Sequence, residues 1–292
     1  MNAVSRLAHP LREPRAAFQR TAVSLLVLAL MLFTQAHAAK PGGVYTFAIP
    51  QGASEITYAD KSVFVIGDSA LVAIPMTADA GVATLTYRQA GQSLTHEFTV
   101  NPHTYTEQHI TIKNDALVSP PAEVSERIQR EAQRQRRLYA NHAARQTVGT
   151  GFTKPLEGIT TSLFGHRRFF NGKPRSPHSG LDIAAASGTP IAAAGDGLVT
   201  LADALYFNGN TLFIDHGQGL ITMYCHMSKL EVTEGERVKK GQTIGLVGAT
   251  GRATGPHLHW TVSLNGTRVD PEDFTAALNN AVAATADAAV ER

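Results

Sequence analysis

Three short patterns in the second half of the chain carry side chains capable of chemistry. They are His178-Ser-Gly-Leu-Asp182, Tyr224-Cys-His226-Met and His257-Leu-His259, in that order. Singly, each is a pattern that a chain with 12 histidines produces by chance. Strand geometry gives them joint meaning, because residues i and i+2 point to the same side of a sheet. His257 and His259 then share a face, as do Tyr224 and His226. An extended His178 segment adds His178 and Asp182, and Ser179-Gly180 between them argues against a helical turn. Four imidazoles and one carboxylate can thus meet on one sheet floor. Two histidines and an aspartate give a tetrahedral Zn²⁺ three ligands and leave one position open, the pattern of a catalytic rather than a structural site. Such an ion lowers the pKa of a water toward about 7. The remaining histidines are left for proton transfer and for stabilising an oxyanion. Cys225, adjacent to His226, is expected on the opposite face as a small packed residue.

The elements that must hold these groups are mainly strands. From 149 to 274, Val/Ile/Leu runs alternate with Asp196-Gly197, Asn208-Gly209, Gly217-Gln-Gly219 and Asn265-Gly266, which are tight-turn chemistry. This segment reads as a β domain with no helical period. Residues 43–118 read as a second, smaller β-sandwich-like module, with strands expected at Val44–Ile49, Ser62–Ile66, Leu71–Ile74 and Val82–Tyr87. Its histidines, His96, His103 and His109, form no ligand pattern. Between the two, residues 119–146 read as a connecting helix. Ser119 is its expected N-cap, Val124, Ile128 and Ala132 its apolar stripe, and Glu123–Arg127 and Glu126–Arg130 its supporting pairs. The Ala-rich tail at 275–292 offers no functional signal.

Composition excludes other classes. The chain has 292 residues, 43% hydrophobic and 17% charged, enough to bury two cores. One cysteine rules out an intramolecular disulfide framework and a Cys-rich structural zinc site. A formal charge of +2 is too balanced for an electrostatic nucleic-acid binder. Residues 1–38 have the layout of a secretory signal peptide: Arg6, Arg12, Arg15 and Arg20, an apolar run from Ala22 to Phe33, then Ala36-His-Ala38. Cleavage after Ala38 removes those four arginines and Glu13, turning +2 into −1. The apolar run is shorter than the ~20 residues that span a bilayer comfortably, so no stable membrane insertion is expected after cleavage. An uncleaved segment anchoring the chain to the membrane is the alternative.

His178-x-x-x-Asp182, Tyr224-x-His226 and Gly-Pro-His257-x-His259 together resemble the lysostaphin-type zinc endopeptidases that cut bacterial cell-wall peptide. The resemblance runs over about residues 155–272 and includes Thr161–Arg167, Gly180–Ala184, Gly188–Ile191 and Val238–Gly245. It implies an antiparallel β metallopeptidase domain of the duplicated hybrid motif type. By position it makes His178, Asp182 and His259 the ligands of one Zn²⁺. His226 and His257 become the catalytic histidines that polarise the scissile carbonyl and handle the proton. The implied substrate is the peptide of peptidoglycan, most readily at the D-Ala to diamino-acid crosslink, with the periplasm as the compartment. A metal-free activator of other wall hydrolases is the alternative, although no ligand is missing. His166 departs from the aromatic residue many relatives carry after Phe-Gly. A hydrolase of the cell's own wall also invites restraint. The segment from Gly43 to about Gln146 is therefore expected to restrain the enzyme by covering the groove, with Asn114-Asp115 a candidate internal ligand; a module that binds wall polymer or a partner is the alternative.

Overall fold

The computed structural model describes residues 39–143 and 151–290. The signal peptide expected at 1–38, with its expected cleavage point, and residues 144–150 and 291–292 lie outside the described residues. Strand dominates, as the turn chemistry and β-branched runs predict. The largest unit is an antiparallel sheet of eight strands. Across it run Arg237–Val238, Gly197–Leu205, Gly209–Gly217, Leu220–Met227, His257–Leu264, Leu181–Ala184 and Ile159–Ser162. Thr267–Val269 pairs with the second half of His257–Leu264. That last hairpin turns on Asn265 and Gly266, both at positive φ (49° and 78°), the type I′ geometry the Asn-Gly pair predicts.

The two faces of this sheet have different fates. Ile183 sits opposite Leu258, and Trp260 opposite Tyr224, which in turn opposes Leu212. All are buried in the main core together with Ile191, Val247 and Phe274. The Tyr224 hydroxyl accepts from the Ala194 N–H at 3.0 Å, which ties strand to loop. Burying side chains of this size contributes about 1.5–3 kcal/mol each. On the other face Asp182 pairs with His259, and His259 with Cys225. Phe213, Met223, Leu201 and Cys225 extend this face into a second apolar patch covered by Tyr139.

Tyr139 belongs to the helix Ser125–Tyr139. Ser119 is not its N-cap: a 3₁₀ turn, Ala122–Val124, intervenes, and the Ser119 hydroxyl accepts from Lys173 Nζ at 2.6 Å. Arg130 pairs with Glu126 as expected, whereas Arg127 turns to Glu131 at 2.7 Å rather than to Glu123. Arg134 reaches across to Asp203 and Glu234. The helix is thus held flat against the strand Gly197–Leu205 and its turn.

The N-terminal strands form two small sheets with Tyr45, Phe47, Val72, Leu85 and Phe98 between them, a sandwich-like packing. The strand Ala53–Tyr58 and the long hairpin Gly81–Gln89/Gln92–Val100 complete it. One of these sheets has a second life. Phe64, Ile66 and Leu71 point out of the sandwich into the main core, where the helix Pro271–Val290 supplies Phe274, Leu278 and Ala281. The Ala-rich tail is therefore packing material, contrary to its bland composition. Next in the chain, Glu107–Ile110 lies parallel to Arg167–Phe170 and extends the second half's strand system from the first half's sequence. No helix among the described residues is long and apolar enough to cross a membrane.

Candidate metal centre

His178, Asp182 and His259 come together; Asp182 and His259 do so across paired strands, whereas His178 lies before the strand Leu181–Ala184 and not on it. Their candidate ligand atoms all lie within 4.8 Å of one another, and all three residues are buried. His178 Nε2 is 2.9 Å from Asp182 Oδ1 and 2.9 Å from His259 Nδ1, and His259 Nδ1 is 2.7 Å from the same carboxylate oxygen. The outward nitrogens explain why these atoms face inward. His178 Nδ1 lies 2.7 Å from the Leu163 carbonyl, which can only accept, so that nitrogen carries the hydrogen and Nε2 the lone pair. Thr261 Oγ1, 3.0 Å from His259 Nε2, is placed to hold that ring the other way round. Nitrogen, nitrogen and carboxylate oxygen meeting at this range fit a divalent cation of the zinc type.

His226 and His257 stand beside this cluster, their ring centroids 4.8 Å apart. His226 Nδ1–H donates to Thr250 O and His257 Nδ1–H to Gly255 O, each at 2.8 Å. In both rings Nε2 keeps its lone pair. His226 does not arrive by strand alternation. Tyr224, predicted to share its face, lies in the main core on the opposite side of the sheet. His226 is brought to the site by a left-handed backbone, φ +65°, at an irregular end of the strand. Cys225 is corrected by the same fact: it lies on the site face, opposite His259, and lines the cavity.

Electrostatics keeps the donors in ligand form. Burial alone would raise the Asp182 carboxyl, but hydrogen bonds from His178 and His259, and their charges, hold it well below the usual carboxylate range. Burial lowers His178. Burial and then the charges of His257 and His259 push His226 down to about 3. Burial takes His259 to about 4 against the pull of Asp182. The Cys225 thiol is pushed well up, by burial first and the Asp182 charge second, so it holds its proton. A cysteine nucleophile finds no support here.

Arg168 was not singled out from the sequence. Its Nη2 donates to Asp182 Oδ2 at 2.5 Å and to Ser162 Oγ at 3.2 Å, while Nε donates to Gln108 Oε1 at 3.3 Å. Ser162 Oγ also lies 3.0 Å from His178 Nδ1 and donates to Gln108 Oε1 at 2.8 Å. Gln108 sits on the strand contributed by the N-terminal half, so residues 108, 162 and 168 form the shell behind the His178–Asp182–His259 cluster. His166, the departure noted above, is 3.3 Å from Ser162 Oγ and belongs to this same network. Asn114 does not approach the cluster: its side chain accepts from Ala116 N–H in its own turn. A cavity of about 490 Å³ opens from the cluster and is lined by residues of both halves, including Val118 and Tyr139.

A buried His-Asp-His cluster with two further imidazoles, on the face of an antiparallel sheet, defines a metallopeptidase-type site, and comparison with known proteins agrees. The model of Peptidase family M23 matches residues 176–271. A crystal structure from Pseudomonas aeruginosa, solved as an M23 peptidase, is 36% identical. It covers 83% of this chain and 97% of its own, with a TM-score of 0.67. The peptidoglycan DD-endopeptidase ShyC of Vibrio cholerae is 51% identical over 94 residues, 32% of this chain and 22% of its own length. The DD-carboxypeptidase/endopeptidase Mpg of Neisseria meningitidis is 45% identical over a segment of the same size and share. The chain thus spans about a fifth of the length of these two curated relatives. It belongs to peptidase family M23, the lysostaphin-type metallopeptidases.

Proposed function

We propose that this chain is an exported, zinc-dependent endopeptidase that hydrolyses peptide crosslinks of peptidoglycan, most readily the D-Ala to diamino-acid bond, in the periplasm. The observation that carries the reading is the convergence of three inward-facing donors with two imidazoles whose Nε2 lone pairs are free. His178 Nε2, Asp182 Oδ1 and His259 Nδ1 would hold one Zn²⁺. When bound, that ion supplies Lewis acidity, polarising a carbonyl and acidifying a water. The name of the Vibrio relative, a peptidoglycan DD-endopeptidase, supports the substrate class, and that of the Neisseria relative, a DD-carboxypeptidase/endopeptidase, supports the reaction type.

The chain's own groups do the remaining work. The hydrogen bonds at Nδ1 fix His226 and His257 with Nε2 toward the cleft, so Nε2 takes a proton from the attacking water. Held on Nε2, that proton first faces the developing oxyanion of the tetrahedral adduct; it then passes to the departing amine as the C–N bond breaks and the carbonyl re-forms, which leaves the ring neutral again. Arg168 holds Asp182 Oδ2, which keeps Oδ1 directed inward. The cavity wall from Val118 to Tyr139 gives the N-terminal half a role in shaping the groove.

Metal analysis of the purified chain, with hydrolysis of a soluble crosslinked peptide, tests the reading. One zinc per chain is expected, with turnover lost to a chelator and restored by zinc. His178→Ala and Asp182→Ala should lose both metal and turnover. Stoichiometric zinc and normal turnover in either variant would remove that residue from the ligand set. A chain that binds no zinc would instead favour the activator alternative.

A further inference from the structure

The cavity beside the cluster has a charge imbalance that holding zinc does not explain. Arg168, Arg175, Arg252 and Arg268 all line it, and among the described residues no aspartate or glutamate does. Arg168 is partly balanced by Asp182. Arg268 lies over the Tyr139 ring, 4.4 Å from its centre. Arg175 and Arg252 have no carboxylate partner among the described residues. Arg175 donates to the Val118 carbonyl at 2.6 Å and the Pro174 carbonyl at 3.2 Å, and Arg252 to the Leu117 carbonyl at 3.3 Å. These are neutral acceptors, so neither charge is compensated by a carboxylate among the described residues. The Arg252 guanidinium is also clamped, 4.7 Å from the centre of the Phe170 ring and 4.5 Å from that of Phe207.

We propose that Arg175 and Arg252 form a carboxylate subsite that holds a free carboxylate of the substrate peptide next to the bond being cut. This rests on the peptidase reading above and deepens it. A guanidinium stacked between two rings is pre-organised, and its remaining N–H groups suit the planar geometry of a carboxylate. Burial, then the charges of Arg175 and Arg168, push Arg252 down to about 10, the signature of cations gathered without a counter-charge. An arriving anion relieves that repulsion. Two carboxylates of a crosslinked peptide fit the chemistry, that of the diamino acid and that of the chain-terminal D-alanine.

The test uses the zinc-loaded full chain and four forms of one soluble crosslinked peptide: free acid, amidated at the diamino acid, amidated at the terminus, and amidated at both. The free acid should show a kcat/KM at least about 10-fold above the doubly amidated form, as expected for one charge-assisted hydrogen bond. The singly amidated forms identify which carboxylate is held. Arg252→Gln and Arg175→Gln should each bring the acid-to-amide ratio to within about twofold of unity. Arg175 is not clamped between rings, so its variant carries the test if Arg252→Gln fails to fold. Equal rates on all four peptides, or an unchanged ratio in the variants, would overturn the subsite. Binding of the same peptides to chelator-treated chain separates the two levels of the argument. Tighter binding of the acid without any zinc-dependent turnover would refute the peptidase reading and support the subsite. Turnover without acid preference does the reverse.

Discussion

His226 shows what strand periodicity can and cannot reveal. Period-two alternation put His257 and His259 on one face, and they lie there because their strand is regular through that stretch. The same rule put Tyr224 with His226 and Cys225 against them. It fails because φ at His226 is +65°, a local conformation that no spacing encodes. Arg168 was silent for a related reason: its partners, at 108, 162 and 182, are set by tertiary pairing. Three outcomes follow at this scale. His226→Ala should keep its zinc and lose turnover by about 10²–10⁴-fold, since it removes a proton-transfer group and no ligand. Arg168→Met should weaken zinc about 10–100-fold in a chelator competition, because Asp182 loses the group that aims it. Cys225→Ala should remain active and thiol alkylation should leave the native enzyme uninhibited, since the thiol is buried and protonated.

At the level of elements, the spacing of His178 and Asp182 depends on Gly180. A Cβ there would run into the carbonyl oxygen of Trp260 on the neighbouring strand and the hydroxyl of Thr261 at 2.8 Å. Gly180→Ala should therefore cost about 1–3 kcal/mol in denaturant unfolding and lower zinc affinity, by pushing the two ligand-bearing strands apart. The helix Ser125–Tyr139 was legible from its stripe and its Glu/Arg spacing. Its start was not, because Ser119-Pro-Pro looks like a cap while the chain inserts a 3₁₀ turn first. The Ala-rich composition of the tail allows a short helix or frayed coil and does not show that the helix Pro271–Val290 enters the core. Alanine-rich sequence hides how few large residues, here Phe274 and Leu278, suffice to dock a helix on a core.

Across the whole molecule, the N-terminal half read as a separate module, since local patterns report strands and not which core they enter. Phe64, Ile66 and Leu71 in fact belong to the core of the second half. Deleting everything before Gly149 removes these three, each worth about 1.5–3 kcal/mol. The sum is comparable to the ~5–15 kcal/mol that holds a typical domain folded. The shortened chain should melt well below the full one and cut soluble peptide more slowly, not faster as a releasable cover would predict. Faster cutting by a folded, zinc-loaded short form would restore the cover. Zinc, binding only the folded chain, should add about 4 kcal/mol at a thousandfold excess over its Kd, read as a rise in Tm.

The parallel pairing of Glu107–Ile110 with Arg167–Phe170 also bears on timing. Gln108 leaves the ribosome roughly 150 residues before His259, an interval of about 8–30 s at ordinary elongation rates. Until the later strands emerge, one face of the first-half sheet, with Phe64, Ile66 and Leu71, has nothing to pack on. The contacts that complete the centre are high in contact order and form last. A chain caught midway through synthesis is therefore both sticky and inert. Its hydrolytic power appears only once the final strands and the last helix have closed the core.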